Sequence, residues 1–334
     1  MIYWSIEKII LDLKYTWKIA RNASDRKTNL LVKVSDERSN GSGEGAPNIR
    51  YGESPEQLVT EFDSFLSHKP EEIKSLIQLD ECIRKSSLSN ALKFAIDSAY
   101  VHYACAAKGI SVCRMFDIDE PPLLIPTSYS IPLMEIGAMK EFYYAQHLDR
   151  FPFIKIKIDA DSGTDAIHYL SRFCSQPLLV DANEAFHDVE QCIFFMEKIK
   201  KKQIEFVEQP MPSTLVDESL YLKKYSPFRL FADESITSAA DFGSLKKMFD
   251  GVNIKLMKAG GYLNGIRLLR EAKKHQLKTM IGCMVETTLA ISSAMHLASL
   301  ADYVDLDSFL LVKNEPFGLV EEQEGKLTFK KNMV

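Results

Sequence analysis

The sequence predicts an α/β protein, a closed barrel of parallel strands preceded by an α+β domain. Three observations carry that reading. From about Leu123 onward, eight short apolar runs recur at intervals of about 21 to 29 residues, separated by amphipathic helical patterns, which is the length that a strand, a crossover helix and two loops need. The residues before Leu123 hold strand-like and helical segments without that alternation. At 334 residues the chain is long enough for one barrel with an attachment.

Taken in order, IEKIILDLKY and TNLLVKVSD read as two antiparallel strands. A polar connection holding Lys18, Arg21, Asn22 and Arg26 is expected between them as a mobile loop. Ser39 to Ser54 is rich in Gly, Ser, Asn and Pro and is expected to be a surface loop. Three helical patterns follow, PEQLVTEFDSFLSH, PEEIKSLIQLDECIRK and SNALKFAIDSAYVHYACAAKG. The last is apolar all round, as a buried helix is, and stops at Gly109. The eight runs are LLIPTSYSI, FPFIKIKID, PLLVDAN, IEFVEQP, FRLFADES, GVNIKLMKAGG, KTMIGCMVE and ADYVDLDSF. The tail after them reads as a hairpin. The expected domains are therefore 1–120 and a catalytic barrel over 121–318, with the tail 319–334 returning to the first domain.

Composition removes several functional classes. A formal charge of −5 offers no overall positive field to hold phosphates, so nucleic acid is not expected as a partner. The six cysteines form no C-x-x-C pair and read as reduced residues in a cytoplasmic setting. No secretory leader pattern and no run long enough to span a membrane is visible.

The runs share a chemical habit. Each is apolar until its C-terminal end and then closes on a charge: Lys157, Asp181, Glu208, Asp233, Lys255 and, in VDLD, Asp307. In a parallel barrel all strand C-termini meet at one rim, so these charges converge at its mouth. A single terminal carboxylate is equally consistent with a solvated edge or a helix cap. Three consecutive ones, Asp181, Glu208 and Asp233, repel one another unless a cation neutralises them, and an all-oxygen set without His or Cys suits Mg²⁺ rather than zinc. Asn183 and Glu234 adjoin these ligands and are placed to orient them. Lys155 and Lys157 alternate on one strand and face one side, with Lys255 across the carboxylates. A lysine near a metal and a second ammonium is expected to have a lowered pKa, as an amine base needs. Two lysines on opposite sides could remove a proton from one face of an α-carbon and return it to the other, with Lys155 tuning Lys157.

These motifs, IKIK, VDAN, VEQP, ADES and NIKLMKAGG, together resemble the enolase superfamily in its muconate-lactonizing subgroup, over nearly the whole chain. The resemblance implies a modified (β/α)7β barrel under an α+β capping domain whose loops, about residues 15 to 26 and 45 to 54, close over it. It implies one Mg²⁺ per subunit on Asp181, Glu208 and Asp233, and assigns the second catalytic lysine to Lys255 with Lys258 as the fallback. The last strand, YVDLDSF, is similar to that of the dipeptide epimerases, where the Asp305 and Asp307 pair would hold the substrate's α-ammonium. Arg21 and Ser130 complete the expected substrate-binding set.

The implied activity is inversion of the second α-carbon of an Ala-Xaa dipeptide through a metal-stabilised enediolate. Asn22, rather than Arg21, aligns with the basic residue of the Ala-Glu enzymes, so a neutral, small or hydrophobic Xaa is expected. The alternatives are an L-Ala-D/L-Glu epimerase proper, or an o-succinylbenzoate synthase or muconate cycloisomerase type of lyase. The partner is a small dipeptide; a homo-oligomer is left open.

Overall fold

The computed structural model describes residues 1–199 and 202–330. Strands β1 (Tyr3–Lys18), β2 (Ala23–Ser35) and β3 (Asn40–Gly45) form an antiparallel sheet in that order. The hairpin runs further than its apolar pattern: Trp17 pairs with Ser24 and Asp12 with Arg26, leaving only a short turn around Arg21. Cross-strand ion pairing of Arg26 with Asp12 helps to hold these polar residues in the ladder.

The Gly-rich segment expected as a loop contains β3 instead. Helix α3 (Asn90–Lys108) lies so close to it that a Cβ at Gly41 would stand 2.2 Å from the Ala99 carbonyl oxygen, and one at Gly43 would stand 2.1 Å from that of Ala95. These glycines serve backbone approach rather than a turn. Helices α1 (Pro55–Leu66) and α2 (Leu76–Lys85) complete this unit, each with a serine hydroxyl capping its first turn. Helix α3 ends where expected, on Gly109 in the left-handed region.

Strand β4 (Ile125–Pro126) precedes eight parallel strands: β5 (Ser128–Ile131), β6 (Phe153–Lys157), β7 (Leu178–Asp181), β8 (Ile204–Glu208), β9 (Leu230–Ala232), β10 (Gly251–Lys255), β11 (Lys278–Gly282) and β12 (Tyr303–Asp305). Each pairs with its neighbour in sequence, so the sheet order runs from β5 to β12 with no strand out of turn. The eight strands match the eight predicted runs. At the seam between β12 and β5 the ring is closed by side chains: the Ser128 hydroxyl donates to Asp305 at 2.5 Å, and the Leu306 amide donates to the Thr127 hydroxyl at 3.0 Å.

The tail forms an antiparallel hairpin of strands β13 (Val320–Gln323) and β14 (Lys326–Phe329), and β14 also pairs with β4. Gly325, at positive φ in the hairpin turn, lies against Arg150 and Phe151 at the start of β6, where a Cβ would collide with the Arg150 carbonyl oxygen. Residues 331–334 of the predicted tail lie outside the described residues.

The barrel interior is layered with the period of two that strands impose. A lower layer of Phe153, Leu179, Phe206, Phe231, Met280 and Tyr303 packs into one cluster. Phe206 and Phe231 stack at 3.9 Å between ring centroids, and Gly251 leaves the space that Phe231 occupies. Two residues further along each strand stand Lys155, Asp181, Glu208, Asp233 and Asp305. The charged layer therefore rests on an aromatic floor.

Hydrogen bonds to carboxylates help to join the N-terminal unit to the barrel. Buried Glu44 on β3 accepts from the amide and hydroxyl of Thr287, and Asp97 on α3 accepts from the Tyr262 amide at 2.7 Å. No helix among the described residues is long and apolar enough to cross a membrane.

Candidate active site

The strand register lays the site out. Lys157 on β6 pairs with Asp181 on β7, which pairs with Glu208 on β8, and Asp233 follows β9 directly. Asp181, Glu208 and Asp233 are fully enclosed, and one carboxylate oxygen from each lies within 4.8 Å of the others. Asp181 is further fixed by the Asn183 amide at 3.0 Å, and Glu208 by the Asn253 side-chain amide at 2.8 Å. Asn183 thus orients its neighbour through its backbone. Glu234 does not contact the triad in that way: it accepts from Asn183 at 3.3 Å and from Arg21 at 2.6 Å.

Four lysines surround the triad. The Lys155 ammonium is 2.8 Å from Glu208, 2.8 Å from Asp305 and 3.0 Å from Asp181. Lys157 reaches the same oxygen of Asp181 at 2.5 Å. Across the triad, Lys255 meets Asp233 at 3.0 Å. Lys258 donates to the other Asp233 oxygen at 2.5 Å and to the backbone carbonyls of Asp233 and Asn253. Lys155, Lys157 and Lys255 line a cavity of about 320 Å³; Lys258 does not.

Charge balance decides the protonation pattern. Burial works against ionisation of Asp181, but Lys157 and Lys155 outweigh it and hold the group at about 2. Glu208 goes the other way, lifted to about 7 by burial and by the Asp181 charge despite Lys155. Burial acts to lower Lys255, yet Asp233 and Glu208 carry it above its ordinary range. Lys155 is raised well above its ordinary value by the same balance, with Asp305 as the largest attractive charge.

These carboxylates thus leave Lys155 and Lys255 raised, whereas burial lowers Lys258 despite the Asp233 charge. A lowered value at Lys155 or Lys255 requires another positive charge competing for the carboxylates. A hard divalent cation fits this donor set, which has three carboxylates, no sulfur and no imidazole.

Asp305, linked to the triad through the Lys155 ammonium, and Asp307 also line the cavity. Asp305 accepts from Ser128 and Lys155, and Asp307 accepts from the Ser130 amide at 2.5 Å. Ser130 lines the cavity beside them. Asp307 lies just past β12, at the start of the short 3-10 turn Ser308–Leu311, so the pair is not two alternate residues of one strand as expected. Burial and the Asp305 charge push the Asp307 carboxyl up to about 7.

The lid is formed by the β1–β2 turn and the loop after β3. Arg21 lies on the cavity wall, but its guanidinium donates to the Asn183 carbonyl, Glu184 and Glu234 rather than standing free. Arg50 grips Glu184 with two nitrogens at 2.8 and 2.9 Å. Asn183 and Glu184 have φ values of 45° and 66°, a left-handed turn that brings Glu184 under both arginines. Sequence reasoning missed Arg50 and Glu184, and VDANE carried the only signal, an acidic residue three beyond a ligand.

A family model described as enolase C-terminal domain-like matches residues 139–320. The chain belongs to this enolase family. An L-Ala-D/L-amino acid epimerase of Pedosphaera parvula is 33% identical over 330 residues, 96% of this chain and 93% of that protein. An L-Ala-D/L-Glu epimerase of Bacteroides thetaiotaomicron is 28% identical, covering 95% of this chain and 83% of that one. Among solved structures, a dipeptide epimerase of Cytophaga hutchinsonii complexed with Mg and D-Ala-L-Val superposes with a TM-score of 0.88 at 21% identity, over 98% of this chain and 96% of the other. These enolase-family structures share the fold.

Proposed function

We propose that the chain is a Mg²⁺-dependent dipeptide epimerase that inverts the α-carbon of the dipeptide's second residue. The observation that carries this reading is the placement of Lys157 and Lys255 on opposite flanks of one carboxylate triad, both lining the cavity that Asp305 and Asp307 also line. Asp181, Glu208 and Asp233 would hold the ion, as the match to Mg-bound dipeptide epimerases supports. When bound, it supplies positive charge that stabilises the anion left on the substrate carboxylate once the α-proton departs.

The chain's own groups do the rest. Asp307, which retains accepting capacity beyond the Ser130 amide, and Asp305 take the substrate's α-ammonium. One lysine, as the free amine, removes the α-proton; the other, as an ammonium, delivers a proton to the opposite face. After each turnover the two lysines have exchanged protonation states. Lys155 shares an Asp181 oxygen with Lys157 and so biases that lysine electrostatically without facing the α-carbon. Lys258, held by three oxygens outside the cavity, positions Asp233. The aromatic floor and the Arg21 and Arg50 lid keep water from the anion.

The division into a capping unit over 1–120 and a barrel over 121–318 belongs to the same reading. So does a cytoplasmic setting, which the six free cysteines support.

Proton exchange in D₂O tests the mechanism. Lys157→Ala and Lys255→Ala are each expected to lose epimerisation by at least about 10³-fold, while each exchanges the α-proton of only one stereoisomer. Interconversion of isomers by both variants would overturn the two-base assignment.

A further inference from the structure

The chain between Lys255 and Tyr262 is held from outside the barrel. Lys255 ends β10, the short helix Leu256–Ala259 carries Lys258, and Gly260 and Gly261, at φ values of 81° and 146°, lead into the helix Tyr262–Lys274. Helix α3 of the N-terminal unit lies against those glycines. A Cβ at Gly260 would stand 3.4 Å from atoms of Asn90 and Lys93, and one at Gly261 would stand 2.8 Å from the Asp97 carboxyl carbon. Asn90, Lys93 and Asp97 share one face of α3 by their spacing, and the bare glycine backbone lets that face approach.

Beyond the glycines, α3 takes hold of Tyr262 at both ends. Gly261 has no side chain to cap the helix that follows it, and the Tyr262 amide donates instead to Asp97 at 2.7 Å. Burial lifts the Asp97 carboxyl to about 7, and in either protonation state it keeps an oxygen that can accept. The Tyr262 hydroxyl meets His102 Nε2 at 3.1 Å. His102 Nδ1 lies 2.7 Å from the Ser42 carbonyl, which can only accept, so Nδ1 carries the proton and Nε2 accepts from the tyrosine. Burial lowers the pKa of that imidazole and so favours its neutral form. Between Lys255 and the glycines, the Ala46 amide donates to the Met257 sulfur at 3.1 Å.

Lys157 is fixed by the barrel itself, through the pairing of β6 with β7 and its bond to Asp181. We propose that Asp97 is a positioning residue for Lys255, acting through Tyr262, so that the N-terminal unit aligns one lysine of the pair and not the other. The inference rests on the two-lysine reading above. A side chain at the end of a strand keeps its direction only while the chain leaving the strand is fixed, and a misplacement of about 1 Å at a reacting group can cost on the order of 10²-fold in rate.

The two lysines can be read separately in the Mg²⁺-loaded protein supplied with Ala-Glu or Ala-Val in D₂O. In Lys157→Ala the remaining α-proton exchange reports Lys255, and in Lys255→Ala it reports Lys157. Adding Asp97→Ala is expected to slow the first by at least about tenfold and to leave the second within about threefold. Asp97→Asn, which keeps an accepting oxygen, should bring the first back to within about threefold. Tyr262→Phe removes only the hydroxyl and should give a one-sided loss of at least about threefold, which keeps the test open if Asp97→Ala does not fold. Equal losses on both sides, or none on either, overturn the positioning role. Amide hydrogen exchange read by mass spectrometry needs no turnover: Asp97→Ala should raise deuterium uptake over residues 255–265 and not over 153–160. That localised rise, in a protein whose wild type exchanges no α-proton, upholds the grip of α3 and overturns the epimerase reading. A rise spread over both segments, or absent from the first, overturns the grip while leaving an active epimerase intact.

Discussion

Replacing Lys155 by Met removes an ammonium that is only 2% exposed and stands within 3.0 Å of Asp181, Glu208 and Asp305, while keeping a side chain of similar length. Removing one partner of a buried ion pair typically costs about 3–5 kcal/mol, because a charge is left uncompensated. Three carboxylates are affected here, but the costs do not triple. Asp181 keeps Lys157 and Asp305 keeps the Ser128 hydroxyl, whereas Glu208 keeps only the Asn253 amide. The loss therefore falls on Glu208, whose carboxyl already titrates at about 7.

Without Lys155 that pKa rises further, and protonation relieves the strain wherever protons are available. A carboxyl raised in the folded state contributes stability below its unfolded pKa and loses it as pH climbs through the folded value. The penalty should accordingly sit near the lower figure, about 3 kcal/mol, around pH 6.5 and be larger around pH 8.5. In calorimetric melts, 3 kcal/mol corresponds to roughly 6–12 °C in a unit of this size. Added Mg²⁺ should recover part of it, since a cation on the same carboxylates substitutes for the lost charge. A shift below about 2 °C around pH 8.5, or a penalty that shrinks as pH rises, refutes this account of the charge network.

Glu208→Gln should abolish Mg²⁺-dependent epimerisation with a native-like circular dichroism spectrum, and excess chelator should do the same to the wild type; activity surviving both would remove the metal site. Because Asp307 titrates at about 7, KM for a free dipeptide should climb as pH falls through that value, where protonation removes the charge that binds the ammonium. Asp307→Asn should raise KM at neutral pH by about tenfold and flatten that pH profile, which steady-state kinetics will show. Gly43→Ala should cost more than about 3 kcal/mol in thermal unfolding, since its Cβ would lie 2.1 Å from the Ala95 carbonyl oxygen, whereas Gly45→Ala, at 3.0 Å from that of Ala91, should cost clearly less.

The barrel and its charged rim were legible because one physical rule writes both. Parallel strands buried on both faces are apolar until they leave the sheet, so the residue ending each run announces itself, as Asp181, Glu208 and Lys255 do. The lid was not legible in the same way. Arg50 and Glu184 lie in a loop and a left-handed turn, and what each side chain meets depends on tertiary placement that no local period encodes. Strand β3 was misread because glycine marks both a turn and a close backbone approach, and only the presence of α3 distinguishes them. Asp305 illustrates a third limit. Its place beside Asp307 was foreseeable, but its bond to Lys155 joins two ends of the barrel 150 residues apart.

The seam between β5 and β12 sets the order in which a growing chain can complete this site. Strands β5 to β11 each find their partner in the next segment to be synthesised, so Lys157, Asp181, Glu208 and Asp233 can assemble while the remainder is still being made. Asp305 must instead meet Ser128 across 177 residues of chain. The carboxylates that gather a cation are thus in place early, and the grip that admits a substrate amine is completed after them. A nascent or truncated chain would be built to collect metal before it could recognise a dipeptide.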